Sequence, residues 1–182
     1  TLAGDKSLAK KLFDFHQVRS PEFAIIAPGH VEGNPSLNTF PLIVKPIAGA
    51  GSADTYRVND AVELERVLKL TQHVPEVSVE EFVEGEEFTY DTVCIDGRPA
   101  FENVAQYLPR PLDARTHEWI SPVIVTVRDL DQPKIQKGLA LGHGVLHALK
   151  MGTGFTHMEW YLKKDGDVVF GIEVNGDARA YP

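Results

Sequence analysis

Cysteine is almost absent from this chain, with Cys94 the single one among 182 residues. One cysteine excludes an internal disulfide and fits a reducing compartment, so we expect a cytoplasmic protein. Cys94 lies in an apparent strand, where we expect a small buried hydrophobe rather than a reactive thiol. Long apolar runs are also missing, and none approaches the length of a membrane span. The sequence has no internal repeat and no low-complexity segment.

Positive charge is scarce, since 18 Lys and Arg residues face 26 Asp and Glu residues, for a net charge of −8. This balance argues against non-specific binding to nucleic acid or to an anionic membrane. It does not exclude a small anionic substrate, because a local site can be cationic inside an acidic protein. The chain starts at Thr1 without a Met and ends at Pro182, and we expect it to be a piece of a longer protein.

Hydrophobic spacing predicts a mixture of helices and strands. The predicted helices cover residues 5–16, 61–70 and 133–149, and the predicted strands cover 22–27, 40–46, 77–83, 88–95, 99–106, 123–127 and two arms within 154–175. Residues 28–38 and 108–121 are predicted to be loops. Because most connections are antiparallel, the expected class is α+β.

A hairpin near the C-terminus carries a cluster of hard oxygen donors. Its turn is Asp165-Gly166, which favours paired antiparallel strands on either side. Glu173 and Asn175 are two residues apart on one strand, so they point to the same face, and Glu159 on the other strand is expected to share it. Two carboxylates and an amide oxygen suit Mg²⁺. The alternative is a solvated polar face.

Lys45 ends an apolar strand and is followed by a turn that contains Gly49, Gly51 and Ser52. Small residues let backbone amides approach a ligand, and an ammonium group beside them would neutralise phosphate oxygens. The loop is neither a P-loop nor a dinucleotide fingerprint, and a plain turn is the alternative.

The acidic segment 80–87 follows another predicted strand. Strand backbone at 80–83 could offer a donor and an acceptor to a purine edge, and the Glu87 carboxylate could hold two ribose hydroxyls. An acidic, solvated turn is the alternative for this segment taken alone.

Three groups of cationic or titratable residues remain. His143 and His147 have a zinc-compatible spacing on a helix but lack an evident third ligand, so we predict surface or packed histidines. His157 is expected on the Glu159 face, where it either faces phosphate or packs. The predicted loop 108–121 holds a basic set that could read a substrate carboxylate or simply be solvated, namely Arg110, Arg115 and His117.

Four motifs in order resemble those of the ATP-grasp superfamily, and the match covers almost the whole chain. They are Asp5-Lys6 before a helix, the strand 40–46, the hinge segment 79–88, and His157-x-Glu159 with Glu173-x-Asn175. The His-x-Glu form looks most like the biotin-carboxylase-like and amino-acid-ligase branch. The resemblance implies two α+β subdomains clamping a nucleotide, with the family's N-terminal domain missing from this chain.

The resemblance also implies a role for individual residues. The residues implied at the phosphates are Lys6, Lys45, Gly49, Gly51 and Ser52. The residues implied at the adenine are Glu80, Glu81, Phe82 and Val83, with Glu87 at the ribose. The residues implied as ligands of Mg²⁺, or of Mn²⁺, are Glu159, Glu173 and Asn175. The predicted catalytic residues are Lys45, His157 and Arg179.

The activity that follows from the resemblance is ATP-dependent ligation. A carboxylate would be activated as an acylphosphate and then attacked by an amine. Carboxylation of the biotin-carboxylase type, with bicarbonate as acceptor, is one alternative, and a nucleotide-binding regulatory module is another. The expected partners are small carboxylate and amine substrates, the missing N-terminal domain and a second copy in a homodimer.

The sequence departs from the family pattern at two positions. Asp54 stands where the phosphate loop usually has a second glycine, and Asp177 stands where an arginine is common. Arg179, two residues further on, is the expected substitute for that arginine. We divide the chain into a lead-in segment 1–21, a nucleotide-clamping subdomain 22–87 and a metal-bearing subdomain 88–182.

Overall fold

The computed structural model describes residues 12–14, 16–27, 30–33, 39–47, 54–115, 119–121 and 123–176, with backbone alone at 30–33, 115 and 172–176. Contacts between Cα atoms group these residues into two units. The N-terminal unit is 21–83, and the C-terminal unit comprises 84–176 together with 12–20. The predicted division into 1–21, 22–87 and 88–182 assigns the nucleotide and the metal to separate parts of the chain, and it stays a prediction.

The described part of the N-terminal unit is an antiparallel sheet with an α-helix and a short 3-10 helix (Thr71–His73). Its strands are β1 (Phe23–Ala27), β2 (His30–Gly33), β3 (Leu42–Pro46), β4 (Tyr56–Val58) and β5 (Val77–Glu81), in the order β2-β1-β5-β3-β4. Helix α1 spans Ala61–Leu70 and begins as predicted, because the Asp60 carboxylate accepts a hydrogen bond of 2.8 Å from the Glu63 backbone N–H. The core members are Leu42, Val44, Val58, Val67, Val77 and Val79.

The C-terminal unit is a second antiparallel sheet backed by a long helix. Its strands are β6 (Glu86–Ile95), β7 (Arg98–Leu108), β8 (Val123–Thr126), β9 (Gly154–Leu162) and β10 (Val168–Gly176), in the order β10-β9-β6-β7-β8. The helices are α2 (Pro111–Arg115) and α3 (Pro133–Ala148). Alternate residues of β6 and β9 form the buried face, where Phe88 stacks on Trp160 with ring centroids 4.5 Å apart.

Helix α3 packs closely on this buried face because two of its three glycines lie where a side chain would overlap the sheet. A Cβ atom at Gly138 would overlap the indole ring of Trp160, and one at Gly142 would overlap the ring of Tyr90. A Cβ at Gly144 would have only an ordinary contact, 3.6 Å from Val18. The opposite face of the sheet therefore stays uncovered by α3.

The α+β class and the antiparallel connections are confirmed, and the main corrections concern short elements. Strand β2 lies in the predicted loop 28–38, and helix α2 lies in the predicted loop 108–121. Strand β4 was not predicted, since three residues are too few for a periodic pattern. Of the predicted helix 5–16, the structure describes residues 12–14, which are helical, and residue 16, which is in a turn. Cys94 is buried, as predicted. No described helix is both long and apolar enough to cross a membrane.

The glycines of α3 provide a test of the helix–sheet contact. Gly138→Ala and Gly142→Ala should each lower the free energy of unfolding by about 1–3 kcal/mol, because the new methyl group meets an aromatic ring in a packed core. Gly144→Ala is the matched control and should raise the free energy of unfolding by up to about 1 kcal/mol through helix propensity. Urea unfolding followed by circular dichroism measures all three. Equal effects at the three positions would contradict the close approach.

Candidate functional site

The face of the second sheet that α3 does not cover, called the outer face below, carries a row of polar residues. Strand pairing places these residues side by side. Asp91 on β6 lies opposite His157 on β9 and opposite Asn103 on β7. The backbone of Asn175 on β10 lies opposite His157 as well. Directly opposed residues in an antiparallel sheet belong to the same face. The row therefore runs Asn175, His157, Asp91, Asn103 across four strands.

Asp91 is the acceptor at the centre of this row. Its carboxylate lies 2.6 Å from His157 Nδ1, accepts a hydrogen bond of 2.9 Å from the Thr89 hydroxyl, and accepts a longer one of 3.4 Å from Asn103 Nδ2. Burial alone would raise the pKa of Asp91, but the hydrogen bonds from His157 and Thr89 outweigh it, so the pKa is lowered. Asp91 is thus held as an anion with His157 in a defined orientation.

Glu159 belongs to the same face, one row further along β9, where it lies opposite Thr89. The pairing of β9 with β10 is irregular there: Phe170 pairs with Trp160 and Val174 with Met158, so residues 171–173 share the single position opposite Glu159. This is a β-bulge, and Glu173 is part of it. Bulges often redirect a side chain next to a site.

The predicted ligands of the metal ion lie on the paired strands β9 and β10. Asn175 and Glu159 belong to one face by register, while the side chains of Glu173 and Asn175 lie outside the described part of the structure. Among the described side chains, no group of three His, Cys, Asp or Glu residues is placed to hold a metal ion. The metal role of Glu159, Glu173 and Asn175 stays a prediction.

Lys45 in the N-terminal unit forms an ion pair with a buried carboxylate. Its Nζ lies 2.9 Å from the Glu80 carboxylate, whose other oxygen accepts a hydrogen bond of 2.7 Å from the Ser78 hydroxyl. Lys45 lies opposite Ser78 in the β3–β5 pairing, and Glu80 is two residues along, so both belong to one face of the sheet. The residues expected at the phosphates and at the adenine are therefore in contact with each other.

Some backbone N–H groups at the end of β5 and just after it already donate hydrogen bonds within the N-terminal unit. The Glu81 N–H donates to the Glu22 carbonyl at 2.8 Å, and the Phe82 N–H donates to the Pro41 carbonyl at 3.4 Å. The guanidinium of Arg57 lies over the Phe82 ring, 4.4 Å from its centroid, and Val83 is buried. A purine contact through the first two N–H groups would have to replace these bonds.

Glu87 and Arg110 form a second ion pair of this kind, in the C-terminal unit, and here too the carboxylate is the buried partner. Arg110 Nε lies 3.1 Å from the Glu87 carboxylate, with side-chain exposures of 16% and 6%. The guanidinium also lies over the Tyr161 ring, 5.0 Å from its centroid. The alternative that Arg110 is a solvated loop residue is therefore wrong. Arg115 is described by its backbone alone, and His117 lies outside the described residues.

Several predicted residues also fall outside the described part, namely Lys6, Gly49, Gly51, Ser52 and Arg179. Asp54, the departure in the phosphate loop, is described and has partners. Its carboxylate accepts a hydrogen bond of 3.2 Å from the Tyr56 hydroxyl and lies 3.3 Å from His73 Nε2. These contacts give Asp54 a local role within the N-terminal unit.

The two histidines of α3 lie on the helix side of the sheet, away from the polar row. His143 and His147 are both exposed, as predicted. His143 Nε2 is 2.5 Å from the Glu102 carboxylate, and the His147 ring meets the edge of His16 at 5.3 Å between centroids. They line a cavity of about 410 Å³.

Comparisons with known proteins point to one family. A model of the ATP-grasp domain matches residues 38–180. A D-alanine–D-alanine ligase of Pediococcus pentosaceus is 33% identical over 107 residues, which are 57% of this chain and 30% of that protein. An L-arginine-specific L-amino acid ligase of Bacillus subtilis is 26% identical over 139 residues, which are 72% of this chain and 33% of that protein.

A solved structure agrees with the fold. The D-alanine–D-alanine ligase of Bacillus anthracis, solved in complex with ATP, superposes with a TM-score of 0.73 at 22% identity, covering 96% of this chain and 55% of that one. The match therefore spans between about a third and about a half of the length of these ligases.

The Lys45–Glu80 pair leads to a prediction about stability. Lys45→Met should lower the free energy of unfolding by about 3–5 kcal/mol, because it leaves the Glu80 carboxylate buried without its cation. Adding Glu80→Gln to that variant should recover most of the loss, since no buried charge remains. Thermal unfolding at neutral pH measures both. A double variant that is no more stable than Lys45→Met alone would show that the pair is not what stabilises this face.

Proposed function

This chain belongs to the ATP-grasp domain family, and on that basis we propose that it is the nucleotide-binding part of an ATP- and Mg²⁺-dependent carboxylate–amine ligase. The observation that carries the proposal is the polar row on the outer face of the second sheet. There Asp91 and His157 are hydrogen-bonded at 2.6 Å, Glu159 is the next outward residue of β9, and the backbone of Asn175 lies opposite His157.

The donor chemistry of this face fits a magnesium ion. Glu159 and Glu173 supply carboxylates and Asn175 supplies an amide oxygen, which are hard ligands of the kind that Mg²⁺ takes together with phosphate oxygens. Register places Asn175 on the Glu159 face, and Glu173 lies in the bulge opposite Glu159. Bound there, the ion would neutralise charge on the phosphates during transfer.

The remaining residues of the proposed site bind and orient the nucleotide. In the N-terminal unit, Lys45 would contact the phosphates and Glu80 the adenine, each already oriented by the other. In the C-terminal unit, Glu87 would hold the ribose hydroxyls. Lys6, the 49–52 loop and Arg179 complete the proposed set. Phosphoryl transfer needs such positioning and charge neutralisation more than covalent help from the protein.

The proposed reaction has two steps. A carboxylate oxygen of the first substrate attacks the γ-phosphorus of ATP, and ADP leaves with the electrons of the broken bond. The amine of the second substrate then attacks the acyl carbon, inorganic phosphate leaves, and the amine loses a proton. The names of the related ligases support amino acids as both substrates. The cytoplasm is the proposed location, and the rest of the protein and a homodimer are the proposed partners.

Product release by the purified protein tests this function. ADP formation should require Mg²⁺, ATP and a pair of amino acids, and hydroxylamine in place of the amine should trap the first product as a hydroxamate. EDTA should abolish ADP formation. ADP release that depends on bicarbonate instead of amino acids would replace the ligase by a carboxylase. Saturable ATP binding without any turnover would replace it by a regulatory module.

One matched pair of variants separates the metal role from a general effect of charge. Glu173→Gln keeps the shape and an oxygen donor but removes one negative charge, so turnover should be lost with little change in folding. Glu76→Gln makes the same change at an exposed position of the N-terminal unit and should leave turnover intact. Circular dichroism accompanies both. Normal metal dependence in Glu173→Gln would remove Glu173 from the site.

A further inference from the structure

A third side chain, that of Tyr161, lies beside the ion pair of Glu87 and Arg110. Glu87 on β6 lies directly opposite Tyr161 on β9, so the two side chains are neighbours on one face. Arg110 comes from beyond the end of β7 and lies against both, with Nε 3.1 Å from the Glu87 carboxylate and the guanidinium 5.0 Å from the Tyr161 ring centroid.

The role of Arg110 follows from the burial of the Glu87 carboxylate. The Glu87 side chain is only 6% exposed, and an isolated carboxylate so far from water would be unstable as an anion. A guanidinium at hydrogen-bonding distance compensates that cost. Arg110 therefore compensates the charge of the Glu87 carboxylate and restricts the directions in which it can point.

The identity of the cation matters as well as its charge. A guanidinium is planar, stacks on an aromatic face and presents its N–H groups in a fixed geometry, whereas an ammonium does not. Tyr161 supplies the aromatic face here. A lysine at position 110 would preserve the charge and lose the stacking, so Glu87 would be paired but less well oriented.

We propose that Arg110 is the positioning residue for nucleotide recognition through Glu87, and that it thereby sets how strongly the protein distinguishes a ribose with hydroxyls from one without. The inference rests on the proposed function, since it takes Glu87 as the acceptor for the ribose hydroxyls. Arg110 lies beyond the hinge segment and 23 residues from Glu87 along the chain. The contribution proposed for Arg110 concerns the sugar.

Calorimetry with ATP and with 2′,3′-dideoxy-ATP tests the proposal. The wild-type protein should bind ATP about tenfold or more tightly than the dideoxy nucleotide, because hydrogen bonds to a charged acceptor contribute strongly. Arg110→Met should bind ATP more weakly and bring the ratio of the two dissociation constants close to one. A residue that only stabilises the fold would weaken both nucleotides equally and leave the ratio unchanged.

Two further variants guard against a folding effect. Arg110→Lys retains the charge and should fold, yet its ratio should fall between those of wild type and Arg110→Met. Arg98→Met removes an exposed arginine at the start of β7 and should leave the ratio unchanged. A wild-type ratio in Arg110→Lys and in folded Arg110→Met overturns the positioning role. A wild-type protein that binds no ATP refutes the proposed function instead.

Discussion

The two-residue alternation along β6 and β9 is the constraint on which the rest of this structure depends. It places Tyr90, Met158 and Trp160 on one face, where α3 can pack only because Gly138 and Gly142 lack a Cβ. The same alternation places Asp91, His157 and Glu159 on the other face, which α3 leaves uncovered. A shift of pairing by one residue would exchange the two sets, so the buried aromatic contacts and the polar row are selected together.

Charge pairing is the second organising feature, and it recurs in both units. Glu80 pairs with Lys45, Glu87 with Arg110 and Asp91 with His157. In an acidic chain, each of these carboxylates is paired with a basic side chain that comes from a different strand or from a segment beyond one. The carboxylates are thereby held in place in the absence of a ligand, and pre-organisation of this kind is what the proposed phosphoryl transfer requires.

Short-range patterns in the sequence predicted the long elements, and pairing across the chain decided what was missed. The Asp165-Gly166 turn predicted the β9–β10 hairpin, and hydrophobic spacing predicted α1 from residue 61. The bulge opposite Glu159 could not be predicted, because it depends on how β10 meets β9. The contact of Arg110 with Glu87 depends on where β7 ends beside two other strands. The roles of Glu159, Glu173 and Asn175 are still predictions.

In the proposed function, metal and nucleotide bind on the outer face of β6, β9 and β10. Paramagnetic broadening of backbone amide resonances by Mn²⁺ in the presence of ATP reports where the metal binds. We expect the strongest broadening at Thr89, Asp91, His157 and Glu159, all removed by EDTA. Strongest broadening around His143 and His147 on α3, or broadening that does not require ATP, would contradict the proposal.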